Sequence, residues 1–129
     1  MREQVDRNAY ISKRGIKLLY QDRGQSFMTM RWQPANGTAD GQAHEGALTS
    51  LLDTAGAMAS WSVTGVGPFK ASTPSLQVQF FGPVPAMDLE ACAQVIYQDQ
   101  EMFWVDVEVS DTQTQHVHAK GAVTFRIVV

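Results

Sequence analysis

Apolar positions change their spacing twice along the chain. Up to about residue 33, and again after about residue 70, they alternate with polar ones; between, they recur every three or four residues. GIKLLYQDR, Gly15 to Arg23, and QSFMTMRWQ, Gln25 to Gln33, therefore read as two strands, with Gly24 supplying the tight hairpin between them. In the second, Phe27, Met28 and Met30 are apolar while Thr29, Arg31 and Gln33 are polar. The first dozen residues read as a short helix or an arm. PANGTADG, Pro34 to Gly41, has the composition of a loop. Ala47, Leu48, Leu51, Leu52, Ala55, Met58 and Ala59 then fall at helical spacing, so a helix is expected from Glu45 to Trp61. Its opposite side holds Thr49, Ser50, Thr54, Gly56 and Ala57, with no Lys, Arg or Gln. A helix lacking a charged solvent face is expected to be buried. After the loop SVTGVGPFK, the segments SLQVQFF, DLEACAQVIYQ, MFWVDVEVSD and QTQHVHAKGAVTFRIVV read as strands. Long strands with short connections favour antiparallel neighbours. The expectation is an α+β domain over residues 1–129, its antiparallel sheet of five or six strands wrapped around one long buried helix.

Two polar residues interrupt this helical segment: His44 at its start and Asp53 in its middle. A buried carboxylate without a partner is costly or becomes protonated, so Asp53 is expected to be buried or to line a cleft, and to serve function. The two lie nine residues apart. On a helix that separation is about 13 Å along the axis and roughly half a turn around it, so one chain cannot bring both to one substrate atom. Two such helices packed antiparallel across a two-fold axis can.

The chain has 129 residues, a net charge of −3 and one cysteine. The mild acidity and scattered basic residues argue against a nucleic-acid surface, and no apolar run approaches a membrane span. Cys92 has no internal partner, which suits a reducing, cytoplasmic setting. The N-terminus, MREQVDRNAY, does not read as a signal peptide. His116 and His118 share one strand face but lack a third metal ligand, so neither metal nor cofactor is expected. There is no phosphate-cradling glycine loop and no Gly-x-Ser-x-Gly elbow. Phe80, Phe81 and Met58 suit either core packing or an acyl channel.

Gly41-Gln42-Ala43-His44-Glu45-Gly46, with Leu51-Leu52-Asp53-Thr54-Ala55 after it, resembles the signature of hotdog-fold acyl-CoA thioesterases of the phenylacetate-degradation type. The flanking strands, from GIKLLYQDRGQSFMTMRWQ to VHAKGAVTFRIV, resemble that family in order as well. The resemblance implies a hydrolase acting on an acyl-CoA thioester, working as a homodimer or a dimer of dimers. It implies His44 as the family histidine, the backbone N–H of Glu45 as a donor to the thioester carbonyl, and Asp53 of the partner chain as the catalytic carboxylate. It implies Thr73 as a hydroxyl that places substrate or water. The chain departs from the family at four places. Glu45 stands where Gly is usual. Thr38 stands where Asn is usual, with Asn36 close by. Asp99-Gln100-Glu101 replaces a common Gly-Arg-Arg turn whose arginines meet coenzyme A phosphates. Pro74-Ser75 follows Thr73 where Val-Asp is common. The alternative is a non-catalytic acyl-ligand binder or scaffold on the same fold.

Overall fold

A computed structural model describes residues 1–129. Two short helices open the chain, α1 (Arg2–Arg7) and α2 (Ala9–Lys13), with Asn8 capping the second through the amides of Tyr10 and Ile11. The strands β1 (Ile16–Asp22) and β2 (Gln25–Met30) follow, then a 3-10 turn (Pro34–Asn36), then α3 (Glu45–Thr64). The remaining strands are β3 (Lys70–Phe80), β4 (Leu89–Asp99), β5 (Met102–Asp111) and β6 (Val117–Val128). All six strands form one antiparallel sheet in the order β1-β2-β4-β5-β6-β3, and α3 packs against it. This is the hotdog arrangement expected from the sequence.

Alternation sets the register. Met28 and Met30 point inward, as do Val105, Val107 and Val109, and Ala119, Val123 and Phe125. They close on Leu48, Leu51, Leu52 and Ala55 of α3, all fully buried. Burial of each leucine contributes roughly 1.5–3 kcal/mol. Two glycines set how closely helix and sheet approach. A Cβ on Gly56 would lie 2.9 Å from Val123, and one on Gly121 would lie 2.6 Å from Leu52. The β1–β2 hairpin turns through Arg23 and Gly24, both at positive φ, as a two-residue primed turn requires.

Several expectations need correction. Phe27 lies on the outer face of the sheet, half-buried, not with Met28 in the core. β2 ends at Met30 because the Trp32 amide donates to the Asp88 carboxylate instead of a strand partner. α3 runs to Thr64, one turn past Trp61, where Gly65 at φ 84 ends it. β3 starts at Lys70 and so includes Pro74. It is an edge strand paired only with β6, where a missing amide is tolerated. The helix is not buried all round. Gly46 is exposed, and Thr49, Ser50, Asp53 and Ala57 are half-buried, which leaves one face of α3 only partly covered.

Candidate active site

The start of α3 is held from three sides. His44 is its N-cap: the ring Nδ1 accepts the Gly46 amide at 2.8 Å. With Nδ1 accepting, the ring proton sits on Nε2, so the exposed edge of His44 is a donor. The His44 amide donates to the carbonyl of Asn36 at 2.7 Å, and the Ala43 amide to that of Val84 at 3.1 Å. Asn36 is itself buried, and its Nδ2 donates to the carbonyl of Arg14 at 2.6 Å. Of the two residues near the usual family asparagine, Asn36 therefore holds the helix start. Thr38 instead closes its own loop, accepting and donating around Gln42.

The first amide of the helix, that of Glu45, makes no hydrogen bond within the chain. An open N–H at a helix N-terminus carries partial positive charge and is suited to an oxyanion. It borders a cleft of about 430 Å³ between the loop before α3 and the Gly82-Pro83 turn after β3. The Glu45 side chain is exposed there, and Asp40 lines the same cleft. Glu45 thus contributes its amide to the cleft and a negative charge at the first turn, where the helix dipole favours one.

Asp53 lies eight residues further along α3, on the partly covered face. Its Oδ1 accepts the Thr73 hydroxyl at 2.8 Å, and its Oδ2 accepts no hydrogen bond from within the chain. The local chemistry of β3 explains how Thr73 reaches it. Ser72 pairs with Arg126 and Ser75 with Thr124, so Thr73 and Pro74 together face one residue of β6. Such a bulge re-aims a side chain. Pro74, a departure from the family pattern, sits in the bulge that turns Thr73 toward Asp53. The fold therefore joins Asp53 with Thr73, and His44 with the Glu45 amide, but leaves these two pairs about 12 Å apart along the helix.

The acidic turn is also engaged. Glu101 binds Arg126, with Nε at 2.8 Å and Nη2 at 2.6 Å from one carboxylate oxygen. One polar cluster escaped the sequence reading. Asp111 is buried at the β5–β6 turn, where it accepts the Thr114 hydroxyl and the amides of Thr114 and Gln113. His118 Nε2 lies 2.8 Å from its second oxygen. These bonds, those from Thr114 first, hold the Asp111 carboxyl well below the usual carboxylate range. The spacing Asp-x-x-Thr was the available signal, since an Asp or Thr side chain commonly caps such a turn. The His116 and His118 rings meet edge-on at 4.9 Å, and no group of three or more His, Cys, Asp or Glu side chains is placed to hold a metal ion. No helix is long and apolar enough to cross a membrane.

Comparison with known proteins places this geometry. No curated protein matches the chain in sequence. Among solved structures, the PaaI protein from the phenylacetic acid degradation operon of E. coli is similar, with 26% identity and a TM-score of 0.86 over 98% of this chain and 89% of that one. A conserved protein of Pseudomonas aeruginosa shares the fold at 24% identity, with a TM-score of 0.88 over 98% of both chains. A protein of Thermus thermophilus is 25% identical, with a TM-score of 0.81 over 93% of this chain and 97% of that one. Residues 40–118, which span the cleft, α3 and the Asp53–Thr73 pair, match the family model of the Thioesterase superfamily, and the chain belongs to that superfamily.

Proposed function

We propose that the protein hydrolyses an acyl-CoA thioester to the free acid and coenzyme A, at a site that two copies of the chain share. The observation that carries this reading is the separation of two half-sites on one helix. An open amide at Glu45 stands about 12 Å from a carboxylate, Asp53, that Thr73 orients. Neither half is sufficient alone. Antiparallel pairing of two α3 helices through their partly covered faces brings the Glu45 amide of one copy to the Asp53 of the other. β3 supports the same pairing. It is an eleven-residue edge strand with Leu76 exposed, and its outer edge after Pro74, from Ser75 to Phe80, is open to pairing with another strand. A homodimer is the smallest assembly that completes the site, and a dimer of dimers contains it twice.

The roles follow from the chemistry. The Glu45 N–H and the helix terminus stabilise the oxyanion as the carbonyl carbon becomes tetrahedral. Nε2–H of His44 is a second donor at the same entrance. Asp53 takes a proton from the attacking water and passes it to the leaving sulfur, or attacks the carbonyl itself, expelling the thiolate and giving an anhydride that water then opens; in that route one proton of the water ends on the thiolate. Thr73 holds one carboxylate oxygen so that the other faces the substrate. We read residues 1–129 as one domain working in the reducing cytoplasm. Similarity to PaaI makes the phenylacetate-degradation type the family branch to test first. The test is release of free thiol from a panel of acyl-CoA esters that includes phenylacetyl-CoA, with Asp53→Asn as the control. That near-isosteric change is expected to lower kcat by about 10²–10⁴ if Asp53 is the general base. Full activity in Asp53→Asn would remove it from the mechanism, and tight binding without turnover by the wild type would favour an acyl-binding protein.

A further inference from the structure

The N-terminal arm is tied down at two points and spans a gap between them. Arg2 donates to the carbonyls of Leu18 and Leu19 on β1, and the Tyr10 hydroxyl meets Ser50 Oγ on α3 at 2.9 Å. Beside the arm lies an open apolar pocket of about 330 Å³. Val5, Ile11, Met58, Trp61, Val66 and Phe69 are its apolar lining. Gln4 and Asn8 are its only polar lining residues, and Asn8 is occupied in capping α2. Ligand pockets are concave, mostly apolar and a few hundred Å³ in volume, and this one fits that description.

Its position relative to Asp53 is informative. Asp53, Ala57 and Trp61 follow one another at i, i+4 and i+8, on one helix face. The start of β3 runs back along that face: Phe69 stacks on Trp61 with ring centroids 6.3 Å apart, and Thr73 bonds Asp53. Between these two contacts the helix presents only the methyl of Ala57, half-buried. We propose that this cavity receives the tail of the acyl group, and that the preferred substrates are unbranched medium-chain acyl thioesters. The inference rests on the thioesterase reading of Asp53. From Asp53 to Trp61 the helix advances about 12 Å. An extended hydrocarbon with bonds of about 1.5 Å advances roughly 1.25 Å per bond, so about eight to ten carbons reach the cavity. A phenylacetyl group stops short, beside Ala57.

The test measures thiol release by the full chain with straight-chain acyl-CoA esters of graded length and with phenylacetyl-CoA. kcat/KM is expected to rise about fourfold per added methylene until the tail fills the cavity. The optimum should fall near eight to ten carbons, well above phenylacetyl-CoA. Ile11→Trp fills part of the pocket and should cut the octanoyl-to-butanoyl ratio of kcat/KM at least tenfold. Met58→Ala enlarges the pocket and should move the optimum to longer chains, which keeps the test decisive if Ile11→Trp does not fold. A flat length profile, a phenylacetyl preference, or an unchanged ratio in folded variants overturns the proposal. If no thioester is hydrolysed, the thioesterase reading fails separately. Calorimetry with octanoic acid then decides the cavity: binding lost in Ile11→Trp supports it, and no binding or equal binding overturns it.

Discussion

If Glu45 and Asp53 act on one carbonyl, they come from different chains, and two inactive variants should restore each other. The structure selects the variants. Glu45 is the first residue of α3, where proline is tolerated because its amide has no helical partner. His44 before it is extended, with φ −73 and ψ 132, which suits a residue preceding proline. Glu45→Pro therefore deletes the N–H that faces the cleft and leaves the helix and the His44 cap in place. Loss of one oxyanion donor is expected to lower kcat by about 10²–10³. Asp53→Ala removes the carboxylate and should lower it by about 10²–10⁴. With the two variants carried on differently tagged chains, tandem purification isolates the mixed dimer. One of its two sites has the Glu45 amide from one chain and Asp53 from the other and is whole; the second site lacks both. Activity should return to about half that of the wild type, far above either parent. A site built within one chain would be broken in every copy and could not be rescued. Verified mixed dimers that stay at the parental level would refute the shared site.

Three further outcomes follow from contacts in the fold. Thr73→Val removes one hydrogen bond to a charged acceptor, worth about 1.5–3 kcal/mol, so kcat should fall roughly ten- to a hundredfold while Thr73→Ser stays near wild type; equal loss in both would assign Thr73 to packing. Gly121→Ala places a methyl against Leu52 and should cost roughly 1–3 kcal/mol of stability in chemical denaturation, and an unchanged midpoint would mean that α3 shifts freely on β6. Asp111 has its folded pKa lowered, so its contribution to stability is complete above the ordinary carboxylate value of about 4 and is lost as pH falls through the lower folded value. The melting temperature of the wild type should exceed that of Asp111→Asn at neutral pH, with the gap closing below about pH 4, and a gap that stays constant into acid would contradict the hydrogen-bonded charge.

Where the sequence was legible, one physical signal dominated. Period two along β4, β5 and β6, and helical spacing from Ala47 to Ala59, identified those elements because burial on one face allows no other register. The boundaries were harder wherever a local rule competed with tertiary context. Ser62-Val63-Thr64 has poor helix propensity, yet α3 continues through it because the Ser62 hydroxyl bonds the carbonyl of Ala59 and the amide of Gly24. Pro74 reads as a strand breaker, but at a sheet edge it sits in a bulge. The outward turn of Phe27 could not be read from composition, since three apolar residues within four positions fit either face.

The candidate site divides along the same line. The helix motif spans few residues, so spacing alone separated His44 from Asp53 and pointed to two chains. The Asp53–Thr73 bond joins residues on different elements and was not legible in the sequence; the resemblance indicated Thr73 only as a hydroxyl that places substrate or water. Thr73 shares its bulge with Pro74, the residue that departs from the family pattern. At a sheet edge the missing amide is tolerated, and the hydroxyl beside it in the bulge reaches the Asp53 carboxylate. The glutamate at position 45 admits the same treatment. Oxyanion binding needs the backbone N–H, which glutamate and glycine both carry, so the substitution leaves the donor intact and changes only the charge beside it. The Asp99-Gln100-Glu101 turn differs in kind. Glu101 is already paired with Arg126, so an added arginine at position 101 would displace that ion pair as well as reverse a charge. Gln100 is exposed and its side chain takes no part in that pair. Substitution there is therefore the cleaner probe of whether phosphates approach this end of the sheet, because it alters the charge without altering the fold that holds Arg126.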